Sequence, residues 1–224
     1  GYNNIPSSLN FTGSFDAFTE DERELDDKLR QFVSAIGFNE HYSNSLNNES
    51  EVTHFSEYEP VLLLNPLNLE MAYLRNSLIS GLLKALSYNE KRQCSYFKIF
   101  EIGAVHKKDE QSETSASESF QIGFAWYGKS QSHWRKQIEL DLYEVKGDLN
   151  KIFTQLRLSK IRYELTQKPG FDFCLNILNH KTDLGFIGIP TKKMCNHYDI
   201  RGNIFVAQLN IDTLINALAS LKNE

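Results

Sequence analysis

Residues 62–90, LLLNPLNLEMAYLRNSLISGLLKALSYNE, are crowded with apolar side chains, yet Arg75 and the polar pair Asn76–Ser77 sit in their middle. Read for periodicity alone, the stretch makes one helix from Asn68, with Leu67, Met71, Leu74, Leu78, Leu82 and Leu86 on a single stripe. That reading leaves the arginine unexplained, because a charge is costly among leucines unless it is paired.

Outward from this stretch, the chain has the makings of a globular α+β fold. At 224 residues it is long enough to hide about 70 % of its surface on folding. Hydrophobic residues make 41 % and charged residues 24 %, as in ordinary globular domains. The net charge of −5 argues against a stand-alone nucleic-acid binder, which would carry a basic face. Cys94, Cys174 and Cys195 are an odd set without CxxC spacing, the usage of reduced thiols in a cytosolic protein. Cys174 lies in an apolar strand and is expected to be a buried, inert thiol. No run reaches the roughly 18 apolar residues of a membrane span, and no signal peptide is visible. A chain that opens on Gly1 is expected to be a piece of a longer protein.

N-terminal to residue 62, TEDERELDDKLRQFVSAIGF (19–38) predicts a helix. Thr19 and Glu22 have capping-box spacing, Leu25, Leu29, Phe32, Val33 and Ile36 recur with helical period, and Gly37 is the stop. Residues 41–60 are polar and predict a strand end and a surface loop. C-terminal to residue 90, CSYFKIFEIGAVH (94–106) predicts a strand, and the polar residues 107–119 a hairpin tip. FQIGFAWYG (120–128) alternates, with Phe120, Ile122, Phe124 and Trp126 on one face. A helix follows over 141–156 carrying Leu149, Ile152, Phe153 and Leu156, then strands near 160–165, 171–178, 183–189 and 203–210, and a closing helix over 212–221. Strands in runs, without strict βαβ alternation, predict a mainly antiparallel sheet.

Catalytic motifs are scarce. None of the six histidines pairs with another His or a Cys at zinc-ligand spacing. There is no phosphate loop, no dinucleotide fingerprint and no nucleophile elbow. KSQSHWRK (129–136) sets Trp134 among cations, a weak signal for stacking on nucleic acid and the ordinary look of a solvated loop.

The order of segments resembles the beta subunit of bacterial phenylalanyl-tRNA synthetase. GYNNIP (1–6) is similar to that family's GYDNIP. Residues 29–46 resemble its helix, Gly-Phe-x-Glu and strand. Residues 65–83 resemble NP-L-x-x-E-x-x-x-LR-x-SL-x-x-GLL, IFEIGAVH its FEIG strand, DLYEVKGDL its D-x-x-x-x-KGD turn, and Lys168-Pro169-Gly170 its HPG. The resemblance implies the catalytic-like core module of that chain, on the class II synthetase antiparallel sheet flanked by helices. Residues 1–18 would lead in from the preceding module and 19–224 form the core. The partners implied are the alpha subunit of an α2β2 ligase and, through the whole complex, tRNA(Phe), with no membrane and a cytoplasmic location. The family's magnesium-linked acidic motif lies just before GYDNIP.

The resemblance also implies a module without chemistry. Class II enzymes hold ATP with an arginine in a Phe-Arg-x-Glu strand and a second in a late Gly-x-Gly-x-x-x-Arg motif. Aligned on GAVHKKDE, His106 takes the Phe position, Lys107 the Arg and Asp109 the Glu. Lysine lacks the planar fork of arginine, and LGFIGIPTKK (184–193) carries no late arginine. No catalytic residue, metal ligand or cofactor site is therefore expected here; ATP and magnesium belong to the parent complex. An active adenylate-forming domain binding ATP and an amino acid is the alternative. Further departures are Phe171-Asp172-Phe173 after Gly170 and Gln208 in place of a common Glu. For residues 62–90 the resemblance implies a turn near Arg75 and a helix starting at Asn76 or Ser77, both favoured N-caps. Asn65, Pro66, Leu74, Arg75 and Ser77 become the candidates for structural and inter-subunit roles. Arg75 would pair with a carboxylate or loop carbonyls at the corner, or meet the alpha chain.

Overall fold

Alternating and helical apolar patterns become the two faces of one sheet in a computed structural model, which describes residues 2–4, 6, 13, 24–56, 58–130 and 138–221. The helices are α1 (Glu24–Ala35), α2 (Glu49–His54), α3 (Ile79–Glu90), α4 (Leu142–Gln155), α5 (Lys192–His197) and α6 (Ile211–Leu221). The strands are β1 (Asn39–Glu40), β2 (Leu46–Asn47), β3 (Val61–Leu62), β4 (Tyr73–Leu74), β5 (Tyr96–Lys108), β6 (Ala116–Ser130), β7 (Ile138–Glu139), β8 (Ile161–Thr166), β9 (Phe171–Asn179), β10 (Thr182–Pro190) and β11 (Ile204–Asn210). The main sheet runs β1-β5-β6-β11-β10-β9-β8, antiparallel except for the parallel β1–β5 pair, and β7 joins the end of β6. A small β2-β4-β3 sheet stands beside it.

One face of the main sheet is covered by α1, α4 and α6. Ile122, Phe124 and Trp126 of β6 pack there with Leu29, Val33, Leu149, Ile152, Phe153 and Leu214, while Phe120 is partly buried against the same core. The predicted stripes of α1 and α4 are on the inside, and Ile211, Leu214 and Ala217 of α6 join them. Asp148, from the KGD turn, lies buried in this layer. It accepts bonds from Trp126 Nε1 at 3.1 Å and Lys98 Nζ at 3.0 Å, which satisfies a carboxylate that would otherwise be stranded. The second face carries α3 and α5, through Ile79, Leu82, Leu83, Leu86, Met194 and Tyr198. Cys174 is buried and burial pushes its thiol up to about 11, as expected for an inert cysteine.

Of the two readings of residues 62–90, the chain follows the turn near Arg75 and not the single helix from Asn68, passing through β4 before α3 begins. Three expectations change. The hairpin tip is shorter than 107–119. Paired backbone continues to Lys108 opposite Ala116, since ladder bonds form between backbones whether or not the side chains are apolar. Residues 41–60 hold α2, started by Asn48, whose side chain accepts from Glu51 N. α5 was also missed; it is capped by Thr191. Both are six-residue helices, too short for a periodic signal. The Thr19–Glu22 capping box and Trp134 lie outside the described residues.

α2 and α5 meet through histidine rings. His54 Nδ1 lies 3.1 Å from Tyr198 Oη, and the His54 and His197 rings are 4.5 Å apart. Burial, then His197, and more weakly Lys193, hold the His54 imidazole below its ordinary value of 6.5, against the opposing pull of Glu51. The fold thus favours the neutral ring. Its stabilising effect is complete above pH 6.5 and is lost as pH falls through the lowered folded value. The expected result is a urea midpoint that falls from pH 7 to pH 5, with a shallower fall in His54→Asn. Identical pH slopes would show that His54 does not contribute.

Candidate functional site

Arg75 follows β4 and is pinned by its own backbone, whose N–H donates to Ser45 O at 2.9 Å while its carbonyl accepts from His106 N at 2.9 Å. The side chain then passes beneath the sheet. Its Nη1 meets Glu101 Oε1 at 2.5 Å, and its Nε donates to Ala104 O at 2.7 Å. Glu101, in the middle of the FEIG strand, is 0 % exposed, and Arg75 is 5 % exposed. Ser43 completes the carboxylate's shell: its N–H donates to Oε1 at 3.1 Å, and its hydroxyl lies 2.8 Å from Oε2. Gly103 makes the approach possible, because a Cβ there would collide with the Arg75 guanidinium. Desolvating the pair is expensive, so the set of bonds is what makes it tolerable.

The next residues close the start of α3. Asn76 Nδ2 donates to Val52 O at 2.6 Å. Ser77 Oγ and Leu78 N both donate to Gln208 Oε1, each at 2.9 Å, and Gln208 Nε2 donates to Gln121 Oε1. The helix begins at Ile79, with Leu78 in the capping position and no side-chain cap of its own. This corrects the expected start at Asn76 or Ser77. Gln208, reaching in from β11, supplies the oxygen for Leu78 N that a local cap would have given. Ser77 still serves the helix, since its hydroxyl accepts from Ile79 N at 3.1 Å.

Leu78 and Leu82 then lie directly on Gly123 of β6, too close for any Cβ at that position. Arg75, Ser77 and Leu78 together fill the centre of the second sheet face. One open space beside them is a cleft of about 340 Å³ lined by Asn76, Gln121, Lys168, Phe186, Gln208 and Asn210, among others. His106, Lys107 and Asp109 do not line it.

Residues 5–211 match the family described as phenylalanyl-tRNA synthetase beta chain CLM domain. The chain belongs to that family. Phenylalanine–tRNA ligase beta subunits similar to it include that of Bacteroides fragilis YCH46, 28 % identical over 99 % of this chain and 29 % of the relative. That of Bacillus subtilis 168 is 29 % identical over 97 % and 28 %. That of Wigglesworthia glossinidia is 31 % identical over 70 % and 20 %. The chain thus spans under a third of the length of these relatives. A solved structure of Desulfitobacterium hafniense PylSc, a pyrrolysyl-tRNA synthetase, superposes with TM-score 0.67 over 86 % of this chain and 64 % of that one, at 13 % identity. A second pyrrolysyl-tRNA synthetase structure from the same organism gives 0.66 at 14 % identity. The α+β sheet is of the class II synthetase type.

In this CLM domain His106, Lys107 and Asp109 do not converge on one site. His106 Nε2 is 3.0 Å from Glu118 Oε2 across the hairpin. Lys107 is exposed, its Nζ 5.3 Å from the Tyr58 ring centroid. Asp109 sits in the tip, where its Oδ1 accepts from Gln111 N at 3.1 Å. No arginine occurs in β11 or α6. Among the described residues no set of three or more His, Cys, Asp or Glu is arranged to hold a metal, and no helix is long and apolar enough to cross a membrane.

The other candidates divide in two. Leu74, Arg75 and Ser77 are partly or fully buried, whereas Asn65 and Pro66 are exposed on the CLM domain's surface. They belong to an arm, residues 61–71, on which Leu62, Leu64, Leu67 and Leu69 are 58 %, 97 %, 88 % and 84 % exposed. Sequence reasoning missed this row because periodicity put Leu67 on a buried stripe. It also missed Glu101, although a lone acid inside the apolar run IFEIG was the natural complement to a lone arginine inside another.

Proposed function

We propose that the chain is a non-catalytic module of a phenylalanine–tRNA ligase beta chain, working in the cytoplasm. It docks on the alpha chain and supports α2β2 assembly and phenylalanyl-tRNA(Phe) synthesis. Residues 19–224 form the module and residues 1–18 lead into it. The observation that carries this reading is the row of Leu62, Leu64, Leu67 and Leu69 facing solvent. Burying one such side chain is worth about 1.5–3 kcal/mol, and contiguous exposed apolar surface marks a contact site. Asn65 and Pro66 shape that arm, and Arg75 holds its base.

The second support is the loss of the nucleotide clamp. Lys107 is a point charge without a fork, and it is not among the residues that line the cleft, although its ammonium stands 5.3 Å from the ring of Tyr58, which is. ATP and magnesium act in the parent complex, and tRNA(Phe) is met through the whole assembly. Lys107→Ala in the reconstituted ligase tests this. Aminoacylation kcat/KM should stay within about twofold, the scale of an exposed substitution of under 0.5 kcal/mol. A large fall would restore the adenylate-forming reading.

A further inference from the structure

We propose that the leucine arm and the outer half of the β5–β6 hairpin behave as one unit, so that a partner chain seated on the arm orders the hairpin. This rests on the reading of the arm as the alpha-chain contact. β11 supports β6 only from Gln121 to Tyr127, and β1 meets β5 only at Ile99 and Phe100. Beyond them, residues 104–108 and 116–120 continue as a ribbon of two strands without a third, a pairing that is marginal by itself; Val105 is buried and Phe120 packs on the main core, while residues 107, 108 and 118 are exposed.

The free edge of that ribbon is bonded to the two ends of the arm. Ala104 O accepts from Arg75 Nε at 2.7 Å. His106 N donates to Arg75 O at 2.9 Å, and Lys108 N donates to Glu59 O at 3.2 Å. Residues 104, 106 and 108 present one edge at period two, so residues 59 and 75 stand in for a missing strand. Side chains reinforce this brace. Lys108 Nζ meets Glu59 Oε1 at 2.7 Å, and Lys107 lies over Tyr58. Between these anchors β3 pairs β4 at two positions, Leu63 N is bonded to Ala72 O at 2.9 Å, and Asn48 Nδ2 donates to Glu70 Oε2 at 2.9 Å, while Leu64, Leu67 and Leu69 stay exposed. Opening the ribbon edge breaks the bonds that hold the arm's ends, so the two share one opening equilibrium. A ligand that binds only the closed arm must then slow ribbon opening.

Hydrogen exchange of the full beta chain, alone and with its alpha chain, tests the coupling. Peptides covering 61–71 and 104–118 should both slow in the complex, the second by about tenfold or more. Lys108→Pro removes the amide and the ammonium that hold Glu59 while sparing the ladder to β6. In that variant the arm should slow as before, and the ribbon's gain should fall at least about threefold. Arm protection without ribbon protection in the wild type would overturn the coupling and leave the docking reading intact. An undiminished gain in Lys108→Pro, as direct burial of the ribbon under the partner would give, would also overturn it. If neither segment slows, both the coupling and the docking reading fall.

Discussion

Arg75→Ala is expected to lower the stability of the domain by about 3–5 kcal/mol, because it strands a carboxylate that the fold has sealed from water. Glu101 has no exposed surface, and its other partners, Ser43 N and Ser43 Oγ, are neutral. The loss also frees Ala104 O and leaves space beside Gly103, which has no side chain to fill it. The double replacement Arg75→Met with Glu101→Leu should recover much of the loss, since an apolar pair of similar volume is often as stable as a buried ion pair. Urea unfolding of the two variants measures both. A single-mutant loss below about 1 kcal/mol, the range of an exposed pair, would mean that the corner is wet in solution.

Leu64→Asp with Leu67→Asp should act oppositely, sparing the fold and removing the partner. Both side chains are almost wholly exposed, so unfolding free energy should shift by no more than about 0.5 kcal/mol. Two central apolar anchors lost from an interface cost about 2 kcal/mol or more each. Affinity for the alpha chain should therefore fall by nearly a thousandfold or more, measured by titration or co-elution. Unchanged affinity would move the contact to another surface.

The sheet was legible because its strands alternate so regularly. Ile122, Phe124 and Trp126 could face only one core, and Leu29 and Val33 only one side of a helix. The corner was half legible. Arg75, Asn76 and Ser77 marked a turn, but the atom that completes the helix start belongs to Gln208, which lies 130 residues away from Leu78. No local rule reaches that far. Nor does a sequence distinguish a buried leucine from an exposed one within a single apolar run. Leu64 and Leu67 differ from Leu82 and Leu86 only in what the fold sets against them. The proposal of a silent module rests on residues legible in the sequence, His106, Lys107 and Asp109. That these residues turn to Glu118, Tyr58 and the hairpin tip was not legible, because it depends on where the ribbon leaves the sheet.

The most direct test of the central claim is calorimetric titration of this chain with ATP and with phenylalanine, beside co-elution with the alpha chain. We predict no saturable heat with either ligand, together with co-elution. Saturable heat with ATP would contradict the account, for it would mean that a nucleotide is held without the two arginines.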